Sequence, residues 1–228
     1  MIIAVALAGC GQSLNDKSRA DVWLSVKDGD VQSLAKFLVV QPFLLNALDD
    51  AGNSLLYEAV GSTNISIVDH LLAKGADVNH RNQFGRTPLH RAADEDRLEV
   101  VRLLLEHGAH VNARDCRGST PLIASAEFAG LPVMKLLVEA GADVPTGNHY
   151  GRSALHNAAK CEDAGVAKFL IAHGARLNQV CEYGTPLDLT VNCEVAEVLR
   201  VAGGAASSKN SIASRTHDRY ITRLPFEK

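Results

Sequence analysis

The sequence predicts an all-α solenoid of about six stacked helix-turn-helix units with β-hairpin fingers. Glycines recur every 33 residues, at Gly52, Gly85, Gly118, Gly151 and Gly184. Gly-Ala pairs recur at the same interval, beginning at Gly75, Gly108, Gly141 and Gly174. A constant period of this length indicates stacked repeats, since one short unit cannot bury its own apolar faces. Aromatic residues are 5% of a chain that is 46% hydrophobic, so aliphatic side chains must form the core.

The unit at residues 82–114 shows how each element is encoded. Gly85 suits a tight turn that needs a positive φ. The Thr-Pro pair at 87–88 predicts a helix start, because Thr caps a helix with its hydroxyl and Pro loses nothing at the first helical position. Residues 98–105 are apolar almost all round, which is typical of a helix packed between neighbours. Gly108 then ends this second helix as a left-handed cap.

The segment after each turn glycine also repeats. The repeated segments are Gly85-Arg-Thr-Pro-Leu-His90, Gly118-Ser-Thr-Pro-Leu-Ile123, Gly151-Arg-Ser-Ala-Leu-His156 and Gly184-Thr-Pro-Leu-Asp188. This pattern resembles the ankyrin repeat. The resemblance implies that His90 and His156 form structural hydrogen bonds between adjacent repeats. It also implies that function resides on a concave face, formed by the hairpins and the ends of the first helices.

The repeat register predicts the domain boundaries. The repeats are expected at about 20–49, 50–81, 82–114, 115–147, 148–180 and 181–205. The first repeat is degenerate, and the shortened last repeat is expected to cap the stack with Asp188 and Glu194 facing water. Residues 206–228 lack any helical or strand period and hold five Lys or Arg against two acidic residues, which predicts a flexible basic tail.

The N-terminal residues 1–9 form an apolar run too short to span a bilayer. Its end, Leu7-Ala-Gly-Cys10, resembles a bacterial lipobox. That resemblance implies a signal peptide at 1–9, a lipid-bearing Cys10, a linker at 10–19 and a periplasmic location. Gly11 after the cysteine points to the outer membrane. The alternative is an apolar terminus that packs on the first repeat of a cytoplasmic protein.

Chemical motifs other than the repeat are absent from the sequence. It contains no Gly-rich phosphate loop, serine elbow or His-Glu-x-x-His motif, so we expect no enzyme activity, cofactor or metal. The net charge of −3 disfavours nucleic acid as a partner. In the ankyrin register, Cys161 and Cys193 are the only candidate disulfide pair. Stacked repeats lie farther apart than a disulfide tolerates, so the shortened last repeat would have to tilt to close it.

The register also marks candidate partner-binding residues. Tyr, Phe and Arg, the types enriched in binding hot spots, flank several turn glycines, and charged residues mark the first-helix ends. The candidates are Phe84, Arg86, Asp94, Glu95, Arg117, Glu127, Phe128, His149, Tyr150, Arg152 and Tyr183. The alternative is that these residues only help the fingers pack on one another.

The functional prediction is a monomeric, non-enzymatic module that binds another protein through its concave face. The lipobox adds a membrane anchor through Cys10, so that the module would bind and regulate or stabilise a partner in the envelope. Two alternatives remain open. One is an immunity-type inhibitor of a toxic or hydrolytic enzyme, and the other is a cytosolic ankyrin adaptor without lipid.

Overall fold

Each unit of the computed structural model is a pair of helices, and from the second unit onward a tight turn precedes the pair. The structure describes residues 16–62, 64–127, 130–161 and 163–207, with only the backbone for 16–19. The first helices are α1 (Asp16–Lys27), α3 (Leu55–Val60), α5 (Pro88–Asp94), α7 (Pro121–Ser125), α9 (Ala154–Ala158) and α11 (Pro186–Leu189). The second helices are α2 (Val31–Val40), α4 (Ile65–Ala73), α6 (Leu98–Glu106), α8 (Leu131–Glu139), α10 (Ala164–Ala172) and α12 (Cys193–Val201). These ranges contain six helix pairs, and the all-α solenoid is confirmed.

The helices form two layers. Each first helix packs on the first helix of the next unit, from α1 through α11. Second helices pack in a parallel series, with α2 on α4, α4 on α6, α6 on α8 and α10 on α12. The core between the layers is aliphatic, as the composition predicts. Tyr57 is the only aromatic residue buried among those the structure describes.

Helix boundaries follow the residues that the sequence marks. Thr87 caps α5 in a capping box with His90, and Pro88 is its first residue, as predicted. Gly85 and Gly108 have φ values of 70° and 82°, so both predicted positive-φ positions are confirmed. After Gly108, the Ala109 N–H bonds to the Leu104 carbonyl at 2.9 Å, which satisfies an otherwise unpaired carbonyl at the helix end.

The fingers are shorter than full β-hairpins. Isolated bridges join Leu48 to Ser54, Gly147 to Ser153 and Cys181 to Gly184, and the described residues contain no continuous strand. Too few residues flank each turn to build a ladder within one finger. Backbone hydrogen bonds close each turn, and further ones link one finger to the next, such as that from the Gln83 N–H to the Ala51 carbonyl at 3.1 Å.

The first unit is longer than the sequence suggests. Helix α1 begins at Asp16, inside the segment 10–19 that was expected to be a linker, and a 3-10 helix follows α2 at Pro42–Asn46. The signal peptide at 1–9, Cys10 and residues 208–228 of the predicted tail lie outside the described residues. None of the helices described is long and apolar enough to cross a bilayer.

The last unit corrects the expected role of Asp188. Its carboxylate does not simply face water, because it accepts hydrogen bonds from the Thr185 N–H at 2.8 Å and the Ser207 N–H at 2.9 Å. Burial alone would raise the pKa of Asp188, but these hydrogen bonds outweigh burial and lower it. Glu194 is exposed, as expected. The chain after α12 therefore folds back onto the cap of α11.

Candidate functional site

The finger turns share one local structure. In the third repeat, the Asn82 side-chain oxygen accepts hydrogen bonds from the Phe84 N–H at 3.0 Å and the Arg86 N–H at 2.9 Å. The corresponding acceptors in the other fingers with this arrangement are Asp49, Asp115 and Asn148. This side chain fixes the turn and leaves the residue before the glycine at its tip. Our sequence analysis missed it, although Asp or Asn stands three residues before each of these four turn glycines.

Backbone hydrogen bonds join successive finger tips. The Cys116 N–H donates to the Phe84 carbonyl at 2.9 Å, and the His149 N–H donates to the Arg117 carbonyl at 2.9 Å. The backbone at the tip is thus tied to its neighbour while the side chain remains outside. Phe84, Tyr150 and Tyr183 are 62%, 53% and 56% exposed. These three candidate partner-binding residues therefore lie on the surface.

Two buried histidines each connect one finger to the helix that follows it and to the next finger. His90 Nδ1 accepts from the Thr87 N–H at 3.1 Å, which leaves Nε2 to donate to the Ser119 carbonyl at 3.0 Å. His156 repeats this arrangement with Ser153 and the Gly184 carbonyl. Burial lowers the pKa of both imidazoles and favours their neutral form. The structural role that the ankyrin resemblance implies for them is confirmed.

Arg86 spans the distance from the third finger to the end of α5. Its Nη2 atom donates to Asp94 Oδ2 at 2.8 Å, so both of these candidate residues lie in an internal ion pair. Burial alone would lower the pKa of Arg86, but the Asp94 carboxylate outweighs it and raises that pKa. These two side chains therefore neutralise each other on this part of the surface.

Glu95 is also held by an arginine, which our sequence analysis did not identify. Arg91 contacts Glu95 Oε1 at 2.7 Å and Glu58 Oε1 at 3.1 Å, and it donates to the Tyr57 carbonyl at 3.0 Å. The guanidinium also lies 5.1 Å from the centre of the Tyr57 ring. Arg91 thus links the second and third repeats along the first-helix layer.

The fourth repeat presents its candidates differently. Arg117 and Glu127 are exposed. His149, at the tip of the fifth finger, is exposed but lies so close to Gly118 that a Cβ there would overlap its ring. Close packing between fingers therefore accounts for part of its role. Phe128 lies outside the described residues.

Two cations of the fifth repeat lie near an aromatic ring of the sixth. The Arg152 guanidinium lies 5.7 Å from the centre of the Tyr183 ring. Burial lowers the pKa of Lys160, and the positive charge of Arg152 lowers it further, while Glu127 acts in the opposite direction. Lys160 was not among the sequence candidates, although it stands in the repeat position of Asp94 and Glu127.

An asparagine series ties the helix ends and was also missed. Asn79 donates to the Gly108 carbonyl at 3.0 Å and accepts from the His110 N–H at 2.8 Å. Asn112 bonds in the same way to Gly141 and Asp143, and Asn178 to Gly203 and Ala205. The sequence signal is the 33-residue interval between Asn79 and Asn112. Pro145 breaks the series in the fourth repeat.

The candidate disulfide is not formed. The Cys161 sulfur lies 3.5–3.6 Å from three backbone carbonyls to which its S–H can donate, those of Ala126, Glu127 and Asn157. Cys193 lies exposed at the start of α12. The described residues also contain no group of three or more His, Cys, Asp or Glu side chains placed to hold a metal ion.

Comparison with known proteins agrees with this architecture. A family model described as ankyrin repeats (3 copies) matches residues 22–115 and again residues 112–181. No individual curated protein matches the chain. The two family matches span most of the chain and include the four turns held by Asp or Asn and the bridge from His90 to Ser119. Ankyrin repeats are generally non-enzymatic modules for binding other proteins. The chain belongs to the ankyrin repeat family.

Proposed function

We propose that this protein binds a partner protein through its finger face and carries out no catalysis itself. We define the finger face as the tips Phe84, Arg117, Tyr150 and Tyr183 together with the neighbouring first-helix ends. The observation that carries the proposal is the row of large side chains at successive tips, one per repeat. Backbone hydrogen bonds join the tips of the third, fourth and fifth fingers, and the three aromatic rings of the row are more than half exposed.

A preformed surface of this kind favours binding. The tip backbones are already hydrogen-bonded, so little conformational freedom is lost when a partner docks. Tyr, Phe and Arg supply large contact areas and are over-represented in binding hot spots. Asp94 and Glu95 are engaged in internal ion pairs, so we assign them a supporting role beside the exposed tips.

Replacing three tip rings tests this proposal. The triple variant Phe84→Ser, Tyr150→Ser and Tyr183→Ser should lose the partners captured from the native cell while keeping its helicity and melting temperature, because each ring is more than half exposed. A control with Val39→Ser and Val40→Ser, which are exposed on α2, should retain them. Unfolding of the triple variant, or unchanged capture, would contradict the proposal.

We also propose that the chain is anchored on the periplasmic side of a bacterial envelope, at the outer membrane, by lipid on Cys10. The support is the sequence around Cys10 alone. Intact-mass measurement of the membrane fraction should show loss of residues 1–9 and a lipid-modified cysteine. An unmodified Met1 terminus would instead support a cytosolic adaptor.

The consequence of binding separates the remaining alternatives. A scaffold or stabilising protein should leave the catalytic activity of its partner intact. An immunity-type inhibitor should form a tight one-to-one complex and abolish the activity of a toxic or hydrolytic enzyme. Assaying the captured partner with and without an excess of this protein distinguishes them.

A further inference from the structure

Two repeats place different charges at equivalent positions. In the third repeat, Arg86 donates to Asp94 at 2.8 Å. Two 33-residue intervals later, the corresponding side chains are Arg152 and Lys160. A lysine therefore occupies the place of the carboxylate that neutralises the arginine.

This exchange leaves Arg152 without its internal carboxylate. The Arg152 Nε atom is buried and has no hydrogen-bond partner among the described residues, while its guanidinium lies over the Tyr183 ring. The Lys160 ammonium is near enough for Arg152 to lower its pKa, after the larger effect of burial. An added negative charge stabilises two neighbouring cations, one of which is exposed Lys160 and the other Arg152, whose Nε atom is buried.

We propose that Arg152, Lys160 and Tyr183 form a subsite for a carboxylate side chain in an acidic segment of the partner protein. This inference rests on the proposed function, because it names the chemistry that one part of the finger face recognises. The incoming carboxylate would occupy the place that Asp94 takes beside Arg86. Tyr183 would hold the guanidinium plane in position and provide apolar contact beside the charge.

The surroundings favour a short acidic segment over an extended polyanion. The negative charge of Glu127 raises the pKa of Lys160, against the effect of burial. Glu182, next to Tyr183 in the chain, raises the pKa of Tyr183 through a hydrogen bond. The whole chain also carries a net charge of −3. These nearby carboxylates limit how much further negative charge the subsite tolerates, so a single Asp or Glu side chain suits it better than the closely spaced charges of nucleic acid or of an anionic membrane.

Peptide selection tests the proposal with a defined probe. A displayed library of random twelve-residue peptides is selected on the wild-type protein and on Lys160→Asp. We expect an Asp- or Glu-containing consensus on the wild type only. In the variant, the new carboxylate pairs with Arg152 as Asp94 pairs with Arg86, so its melting temperature should stay the same or rise. Lys168→Asp is the control for charge, because that exposed lysine on α10, which lies 3.6 Å from Glu194, undergoes the same change of charge at another part of the surface.

A synthetic copy of the selected peptide gives the quantitative readout. Its dissociation constant should rise about tenfold or more in Lys160→Asp and in Arg152→Gln, and stay within about twofold in Lys168→Asp. Replacing the acidic residue of the peptide by its amide should weaken wild-type binding to the same extent. Tighter binding of a twenty-residue oligothymidylate or of phosphatidylglycerol vesicles than of the peptide would overturn the proposal in favour of another class of partner.

The outcomes separate this proposal from the proposed function. Peptides that bind wild type and Lys160→Asp equally, or that lack a common acidic residue, would refute the carboxylate subsite and leave protein binding intact. Failure of both proteins to enrich any peptide would count against protein binding itself, and the subsite would fall with it.

Discussion

Replacing His90 should weaken the solenoid at the interface between the third and fourth repeats. The imidazole is 1% exposed and holds three groups: the Thr87 N–H, the Thr87 hydroxyl and the Ser119 carbonyl. The first two belong to the same repeat and cap α5. The third belongs to the next finger. His90→Ala removes both links, whereas His90→Asn retains an oxygen that can accept from Thr87 but is too short to reach Ser119.

The expected losses follow from these hydrogen bonds. A buried polar group left without its partner costs about 1–3 kcal/mol. His90→Ala leaves such groups at Thr87 and Ser119 and opens a cavity, so it should lower the free energy of unfolding by about 3–5 kcal/mol. His90→Asn should lose only the link to Ser119, or about 1–2 kcal/mol. Asp188 supports this division, because a short side chain caps α11 there in the same way.

Urea unfolding followed by two signals measures the effect. Far-UV circular dichroism reports all the helices, whereas Trp23, the only tryptophan of the chain, reports the first unit. Neighbouring repeats stabilise one another mainly through their shared interface. Weakening the joint between the third and fourth repeats should therefore separate the two transitions in His90→Ala, although they coincide in the wild type.

His107→Ala is the control for this experiment. His107 is exposed at the end of α6, and its Nδ1 atom lies 2.9 Å from the Leu103 carbonyl, within the same helix. Its removal should change the free energy of unfolding by about 0.5 kcal/mol or less. Equal losses in His90→Ala and His107→Ala, or a loss below about 1 kcal/mol in His90→Ala, would refute the bridging role.

Two further predictions concern pH and the turn glycines. His90 and His156 have lowered pKa values, so the unfolded chain binds protons first, and stability should fall as the pH drops below the ordinary histidine value of 6.5. Urea midpoints between pH 7.5 and 5.5 should vary less in a variant with both replaced by Asn, and parallel profiles would contradict this. Gly85→Ala and Gly108→Ala share the cost of a positive φ, but only at Gly85 would the Cβ lie 3.0 Å from the Cys116 backbone nitrogen. Gly85→Ala should therefore lose about 1–2 kcal/mol more in urea unfolding, and equal losses would show that finger packing adds nothing.

The sequence predicted best what the period itself encodes. Thr87 and Gly108 mark helix ends through chemistry confined to a few neighbouring residues, so their roles did not depend on the rest of the fold. Asp188 was misread, because its second donor is the Ser207 N–H, which is brought there only when the chain folds back after α12. Lys160 was missed because its importance depends on the nearby charge of Arg152, which lies on the other side of α9 in the chain.

Comparing equivalent repeat positions would have found Lys160. Asp94, Glu127 and Lys160 stand at one register position, and Arg86 and Arg152 stand at another. Comparison of these two rows pairs an arginine with a carboxylate in the third repeat and with a lysine in the fifth. The sequence alone does not say that the two positions touch. The 2.8 Å contact between Arg86 and Asp94 supplies that information.

The contrast between recurring and varying positions also indicates that the two ends of the finger face differ in charge. Residues that recur with the period, such as His90 and His156, form their hydrogen bonds inside the stack. Residues that vary at a fixed position determine what the surface offers to a partner. Since the Arg86–Asp94 pair neutralises itself in the third repeat and Lys160 leaves Arg152 in the fifth repeat without that partner, positive charge is available toward the C-terminal end. An acidic partner segment should therefore dock there.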